Sequence, residues 1–447
     1  MKQELTKGNI IQVIIRFAVP YLIACFLQTF YGLADLYITG QFNGAAAITA
    51  VSTGSQIMMT LTFVINGLAM GLTVYVGEKI GAGKRTEAGK IIGSGISMFA
   101  ILSLILTVVM VCASSALAKL MHAPAEAFDN TVWYVAICSA GTLFIVAYNL
   151  VGSIFRGIGD SKIPLLTVAL ACVLNILGDL LLVAVFGLGA VGAAIATIFA
   201  QAMSVVLSVL IIRKRQLPFD FSRKDIRPNA AHIRPILRLG VPIALQDLLV
   251  SISFLVILAI VNDIGLTESA GVGVAEKVCA FIMLIPSAFM QSMSAFVAQN
   301  IGAMQYNRAK KALWYGIASS LLVGILIGYV TFFHGHIFAS LFAKDAAIIA
   351  PAAEYLKAYA IDCIFTAFLF CFIGYFNGCG NTTFVMLQGI IGGICVRLPV
   401  SWAMSKVEPV SLFRIGLATP VSSIVQILLC AVFFVFVQHR QKKRSLN

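Results

Sequence analysis

Twelve segments of this chain are each long and apolar enough to form a membrane-spanning helix of ~20 residues. They lie near residues 12–38, 46–76, 91–117, 131–155, 163–186, 190–212, 235–261, 270–298, 310–333, 351–376, 384–404 and 412–437, numbered spans 1 to 12. In a bilayer every backbone polar group has to be satisfied within the segment, so the expected fold class is an all-α polytopic membrane protein of 12 transmembrane helices. Composition agrees. The chain is 60% hydrophobic and 11% charged, against roughly 25% charged in soluble domains. The first apolar run is too long for a signal-peptide core and holds Pro20 and Asp35, so it reads as a span and not as a cleavable leader. The ten cysteines form no CxxC pair and most lie inside apolar runs, which gives neither a disulfide framework nor a metal-ligand spacing.

The net charge of +13 would suggest nucleic acid in a soluble protein. Here the cations fall in short loops, where they act as an orientation signal, and no nucleic-acid partner is expected. With the N-terminus inside, the inner segments hold 24 Lys or Arg, among them Lys2, Lys7, Arg16, eight from Arg213 to Arg238 and four in the tail from Arg440 to Arg444. The outer loops hold five: Lys119, Lys344, Lys357, Lys406 and Arg414. An odd number of spans would mix the two sets, so both termini are expected to be cytoplasmic. The tail HRQKKR (439–444) reads as a topology determinant in preference to a lipid-binding site.

The two halves of the chain resemble each other. IRFAVP (15–20) returns as LRLGVP (237–242), VGEKIGAGKRTEAGK (76–90) as VAQNIGAMQYNRAKK (297–311), and SIFRGIGDSK (153–162) as GYFNGCGNTT (374–383). The offsets are 222, 221 and 221 residues. Three matches within one residue of a common offset argue for duplication of a six-span unit, and an even span number makes it a parallel repeat. The expected organisation is an N-lobe over 1–213, a linker over 214–234 and a C-lobe over 235–447 with its basic tail. Two such lobes facing one another create a central cleft suited to alternating access.

Ionisable groups at membrane depth cost about 2.5–3.5 kcal/mol each on insertion scales, so each asks for a partner or a function. The stretch VLNILGDLLLV (173–183) in span 5 places Asn175 and Asp179 four residues apart, on one helix face. The turn FGLGAVG (186–192) leads into span 6, where Thr197 sits at a similar depth, roughly 12–15 Å from the turn. Asp35 lies in the outer half of span 1. Two carboxylates, an amide and a hydroxyl make an oxygen-rich set suited to a small hard cation, and neighbouring carboxylates are also suited to sharing a proton. The bland alternative is isolated polar residues satisfied by adjacent helices. In the second half, Asp247, Glu276, Lys277, Asp362 and Arg397 lie in spans. They read equally as structural ion pairs or as functional groups, and adjacent Glu276 and Lys277 diverge by ~100° around their helix. Val396 and Val400 stand where the repeat would place Asn175 and Asp179, so the oxygen set was not duplicated. Of the span prolines, Pro20 is the hinge candidate because it shares span 1 with Asp35. GEKIGAGK (77–84) lacks the GxxxxGK[ST] frame of a phosphate loop and follows a span, so no nucleotide site is read there.

Twelve spans in two repeats, LQTFYGLADLYITG (27–40) in span 1, the glycine-rich GEKIGAGK loop after span 2 and FRGIGDSKIP (155–164) after span 4 together resemble the multidrug and toxic compound extrusion (MATE) family over nearly the whole chain. The resemblance implies a V-shaped antiporter that exports cationic amphipathic compounds in exchange for Na⁺ or H⁺. It implies a cation site at Asp35, Asn175, Asp179 and Thr197, which would be the metal ligands if Na⁺ is the ion. It also implies bending at Pro20 and a substrate cavity near Gln28 and Tyr31. Another branch of the family has deep acidic residues in spans 7 and 10; Asp247 and Asp362 do not clearly match that register. The lipid bilayer and cationic small molecules are the expected partners, the cell membrane the expected location, and no cofactor beyond the coupling ion is expected. A monomer is expected because the cleft is built within one chain.

Two other functions compete with this reading. A lipid-linked glycan flippase of the same superfamily would handle anionic headgroups and line its cavity with several cations. Here the spans hold only Lys277 and Arg397 against several acids. A membrane-embedded enzyme would need a nucleophile–base or His–Glu metal set; His334 and His336 lie near an outer loop, and no such set is found.

Overall fold

The computed structural model describes residues 5–214 and 217–444, and every regular element among them is helical. Lys2 and Arg215, two of the cations counted above, lie outside the described residues. The first helical stretch runs Ile10–Gly81, 72 residues, or about 108 Å at 1.5 Å per residue. A hydrocarbon core is ~30 Å thick, so one span cannot absorb that length. Gly44, at φ 78° and ψ −178°, breaks it into α1 (10–43) and α2 (45–81). A side chain would strain that backbone conformation; glycine does not. There follow α3 (Arg85–Leu120), α4 (Ala125–Ala140 and Thr142–Gly157, bent by 53°), α5 (Lys162–Val185) and α6 (Gly189–Lys214). The second half has α7 (Ala230–Asn262), α8 (Leu266–Gly302), α9 (Tyr306–Ser340), α10 (Ala346–Gly378), α11 (Thr382–Ser405) and α12 (Leu412–His439). Twelve spans are thus present among the described residues.

Several helices begin where a short polar side chain takes up otherwise unpaired backbone N–H groups. Asn9 Oδ1 accepts from the amide of Ile11 at 3.0 Å at the start of α1. Asp160 Oδ1 accepts from Lys162 at 3.0 Å before α5, and Asn229 Oδ1 from Ala231 at 3.0 Å before α7. Asp345 does the same for Ala347 at 2.9 Å before α10. Large apolar side chains such as Leu104, Val108, Leu322 and Val432 stand exposed, the surface a bilayer would cover. α10 is the exception: 67% of its most apolar window is buried, against 22% for α3, so α10 runs through the middle of its bundle.

By contacts the chain forms two compact units. Unit 1 comprises residues 1–6, 16–244 and 298–304; unit 2 comprises 7–15, 245–297 and 305–447. The sequence repeat survives as duplicated hydrogen bonds. In unit 1, Thr73 Oγ1 donates to the carbonyl of Ser153 at 2.9 Å; 221 residues on, in unit 2, Ser294 Oγ donates to that of Gly374 at 3.1 Å. Within unit 1 the ends of α2 and α8 repeat the theme. A methyl group on Gly81 would overlap the carbonyl oxygen of Gln299, and one on Gly302 would overlap that of Glu78. The two contacts exchange roles at the repeat offset, so both helix ends need glycine for backbone to lie on backbone.

Gly81→Ala and Gly302→Ala are therefore each expected to destabilise the protein by about 1–3 kcal/mol through overpacking. Gly273→Ala, where an added methyl meets nothing within 4 Å, should leave stability unchanged or slightly improved. Melting of the purified variants in detergent checks this; equal behaviour of Gly81→Ala and Gly273→Ala would contradict the close approach.

Candidate functional site

Unit 1 brings Asp35 of α1, Asn175 and Asp179 of α5 and Thr197 of α6 together. Asp35 is 4% exposed, Asn175 1% and Asp179 0%. Asn175 Nδ2 donates to Thr197 Oγ1 at 3.3 Å, and Thr197 Oγ1 donates its own proton to Asp35 Oδ2 at 3.2 Å. Asp179 lies beside Asp35, carboxylate to carboxylate. Asp35 Oδ1, Asn175 Oδ1 and both carboxylate oxygens of Asp179 are buried with no hydrogen-bond donor. Four buried acceptor oxygens without donors are a large unmet demand. What satisfies them chemically is positive charge: a small hard cation ligated by oxygen, or a proton shared by the two carboxyls.

Local structure places these groups. Asn175 and Asp179 share one face of α5, and directly after Asp179 the helix widens into a π-helical segment, Leu180–Val185. Such segments recur at functional sites because the extra residue per turn redirects side chains. Pro20 lies within α1, fifteen residues before Asp35, and the only non-helical backbone in Ile10–Gly81 is at Gly44. Gln28 and Tyr31 are half-buried on α1; the Tyr31 hydroxyl sits beside Gln28 and Gln201 and within electrostatic reach of Asp35. Among the described residues no group of three or more His, Cys, Asp or Glu is arranged to hold a metal, so any cation site here relies on the amide and hydroxyl oxygens as well.

Sequence reasoning missed Tyr134 and Cys138 of α4, both buried and both close enough to feel the charge of Asp35. One signal was available: Tyr134 recurs as Tyr355 at the 221-residue offset, and both are buried. In unit 2 the structure groups Glu276, Asp362 and Arg397. Asp247 is half-buried and Lys277 exposed, and neither forms an ion pair within 4 Å among the described residues.

The MatE family model matches twice, over residues 20–181 and 242–403, an offset of 222 residues that coincides with the internal repeat. The chain belongs to the MatE family. This is a family of transporters, and the chain is a multi-pass membrane transporter within it. It is similar to the "Probable multidrug resistance protein YoeA" of Bacillus subtilis, 24% identical over 447 residues that cover 98% of this chain and 96% of that one. It is also similar to a protein of Shewanella oneidensis named "FAD transporter", 27% identical over 385 residues, 80% of this chain and 79% of that one. Among solved structures, a MATE crystal structure in the bent conformation superposes with TM-score 0.92 at 21% identity, covering 100% of this chain and 99% of the other.

Thr197→Val keeps the side-chain shape but removes the hydroxyl that joins Asn175 to Asp35. If the set binds a cation, the loss is expected to weaken that binding about tenfold, the scale of one hydrogen bond to a charged group. Titration of melting temperature with Na⁺ at several pH values reads this out; unchanged midpoints in Thr197→Val would remove Thr197 from the site.

Proposed function

We propose that this MatE protein is a secondary antiporter that exports cationic amphipathic compounds in exchange for Na⁺ or H⁺ by alternating access. The observation that carries the reading is the set of four donorless buried oxygens on Asp35, Asn175 and Asp179. A coupling ion that fills them neutralises two carboxylates at membrane depth. Emptying the site restores negative charge, which attracts a cationic substrate. Exchange follows if the ion and the substrate oppositely bias one two-state element. Pro20 is proposed as the soft point of that element: a proline has no N–H to pair with the carbonyl four residues earlier, so α1 bends there at lower cost. Gln28 and Tyr31 are proposed to face the substrate. The name of the YoeA relative supports drug-like cargo. The 24-to-5 division of loop cations supports a cell-membrane protein with both termini cytoplasmic. A single chain is proposed to act as a monomer.

One observation favours a second reading. The Shewanella relative is named for FAD, whose phosphates are anionic. Anionic cargo, including the lipid pyrophosphates of a flippase, is therefore the alternative.

Efflux of a fluorescent cation from proteoliposomes, driven by an imposed Na⁺ or pH gradient, separates the two. We expect one of these gradients to drive efflux, and Asp179→Asn and Asp35→Asn to lower it at least tenfold with the protein still folded. Coupled efflux at wild-type rate in either variant would sink the coupling site. Failure of any cation to move under either gradient, with FAD or a lipid pyrophosphate moving instead, would establish the alternative.

A further inference from the structure

Unit 2 has its own buried polar cluster, and it is not a copy of the one in unit 1. At the repeat offset of 221 residues the positions of Asp35, Asn175, Asp179 and Thr197 hold Val256, Val396, Val400 and Ala418. What stands next to Val396 is Arg397, the last residue of a π-helical segment in α11, Ile391–Arg397, and only 6% exposed. Its Nη1 donates to Ser253 Oγ at 3.1 Å and its guanidinium lies 4.5 Å from the centroid of the Phe254 ring, both on α7. Its Nε has no acceptor. Asp362, in the buried α10, is 2% exposed; its carboxylate sits beside Ser423 of α12 and feels the charge of Arg397, yet Oδ1 has no donor. Among the described residues no ion pair within 4 Å joins the two. From α8, Glu276 adds a buried Oε1 without a partner, and Cys279 lies near Glu276, Asp362 and Cys363. Tyr355 and Tyr359 of α10 also face the cluster.

Both units thus set two carboxyl groups at membrane depth with buried oxygens unmet. In unit 1 the missing positive charge has to come from outside the chain. In unit 2 the chain supplies it. A guanidinium stays protonated in any protein environment and is covalently held, so it cannot exchange. Ser253 and Phe254 park it within reach of Asp362 without a direct pair, by one hydrogen bond and one cation–π contact.

We propose that Arg397 is a built-in counter-cation: it permanently fills, in unit 2, the role that an exchangeable Na⁺ or proton plays in unit 1, and so restricts the transporter to one ion site. The proposal rests on the coupling role of unit 1 given above. Its consequence is a gain of function. Neutralising Arg397 leaves Asp362 and Glu276 without a counter-charge and should create a second site for a small monovalent cation.

The test is cation-dependent melting of the full-length purified protein, titrated with Na⁺ at fixed ionic strength and, separately, with protons. Asp179→Asn is expected to lose the cation-induced rise in melting temperature. Asp179→Asn with Arg397→Gln, which keeps a donor for Ser253, is expected to regain a saturable rise, and adding Asp362→Asn to abolish it again. Asp179→Asn with Arg397→Lys retains the charge and should stay insensitive. A double variant Asp179→Asn/Arg397→Gln that folds but stays cation-insensitive overturns the proposal, as does a new response in the Lys variant. Should Arg397→Gln fold only with added cation, the proposal is supported. Should it fail at every Na⁺ concentration and pH while Arg397→Gln/Asp362→Asn folds, a cation cannot replace Arg397 and the proposal falls. Retention of the full response in Asp179→Asn alone would instead refute the coupling role of unit 1, a result separate from the Arg397 comparisons.

Discussion

The constraint on which the structure turns is the cost of holding carboxylates away from water. Asp35 and Asp179 are buried side by side; Thr197 donates its hydroxyl to Asp35, while Asp35 Oδ1 and both Asp179 oxygens have no donor among the described residues. A structural polar network would be closed by further donors, since a half-satisfied buried network is worse than an apolar one. Here acceptors outnumber donors. Asn175 Nδ2 donates to Thr197, and its carbonyl oxygen joins the unmet set. The arrangement orients oxygens and leaves them short of donors, as a reversible site for a small cation or a proton would.

Duplication gave two bundles with shared backbone logic and different polar centres. The shared part is visible where side chains hold backbone to backbone, as in the Thr73–Ser153 and Ser294–Gly374 bonds. These contacts fix helix crossings, and a change in one copy would be felt throughout its bundle. Polar centres are freer to diverge, provided charge is still balanced locally. Valines replaced the amide and carboxylate of α5 in its counterpart α11, while acids on α8 and α10 and a cation on α11 built a different centre.

Much of the fold was legible because hydrocarbon imposes one dominant rule. Span number, helical class and the repeat followed from apolar run length and from motif spacing. The candidate site was legible for a related reason: Asp35, Asn175 and Asp179 are conspicuous in apolar sequence, and the i,i+4 spacing on α5 fixes a common face. Tyr134 and Cys138 were not legible, because a tyrosine or cysteine in a span is unremarkable until the helix it lies on is placed. The orientation of Arg397 was hidden for the same reason. Its charge could be read, but its choice of Ser253 and Phe254 over a direct pair with Asp362 depends on how α7 packs against α11. The π-helical segments also escape a reading based on a period of 3.6, since they differ from it by one residue over a single turn.

The position of Asp35 sharpens the coupling argument. Of the four site residues, it alone lies on α1, the helix that carries Pro20, whereas Asn175, Asp179 and Thr197 belong to the tightly packed neighbours α5 and α6. A bend in α1 would move one carboxylate relative to three nearly fixed ligands. Under the proposed coupling role, a cation would be held by the oxygens of Asp35 and Asp179 together, and displacement of Asp35 would leave it only the oxygens of α5 and α6. An ion can drive a conformational equilibrium only by the difference in its affinity for the two states. Placing one carboxylate on the helix that carries Pro20 and the other on the α5–α6 pair would make that difference large under the proposed coupling. The same division makes Thr197 a reporter of α1, since its hydroxyl donates to Asp35 from α6.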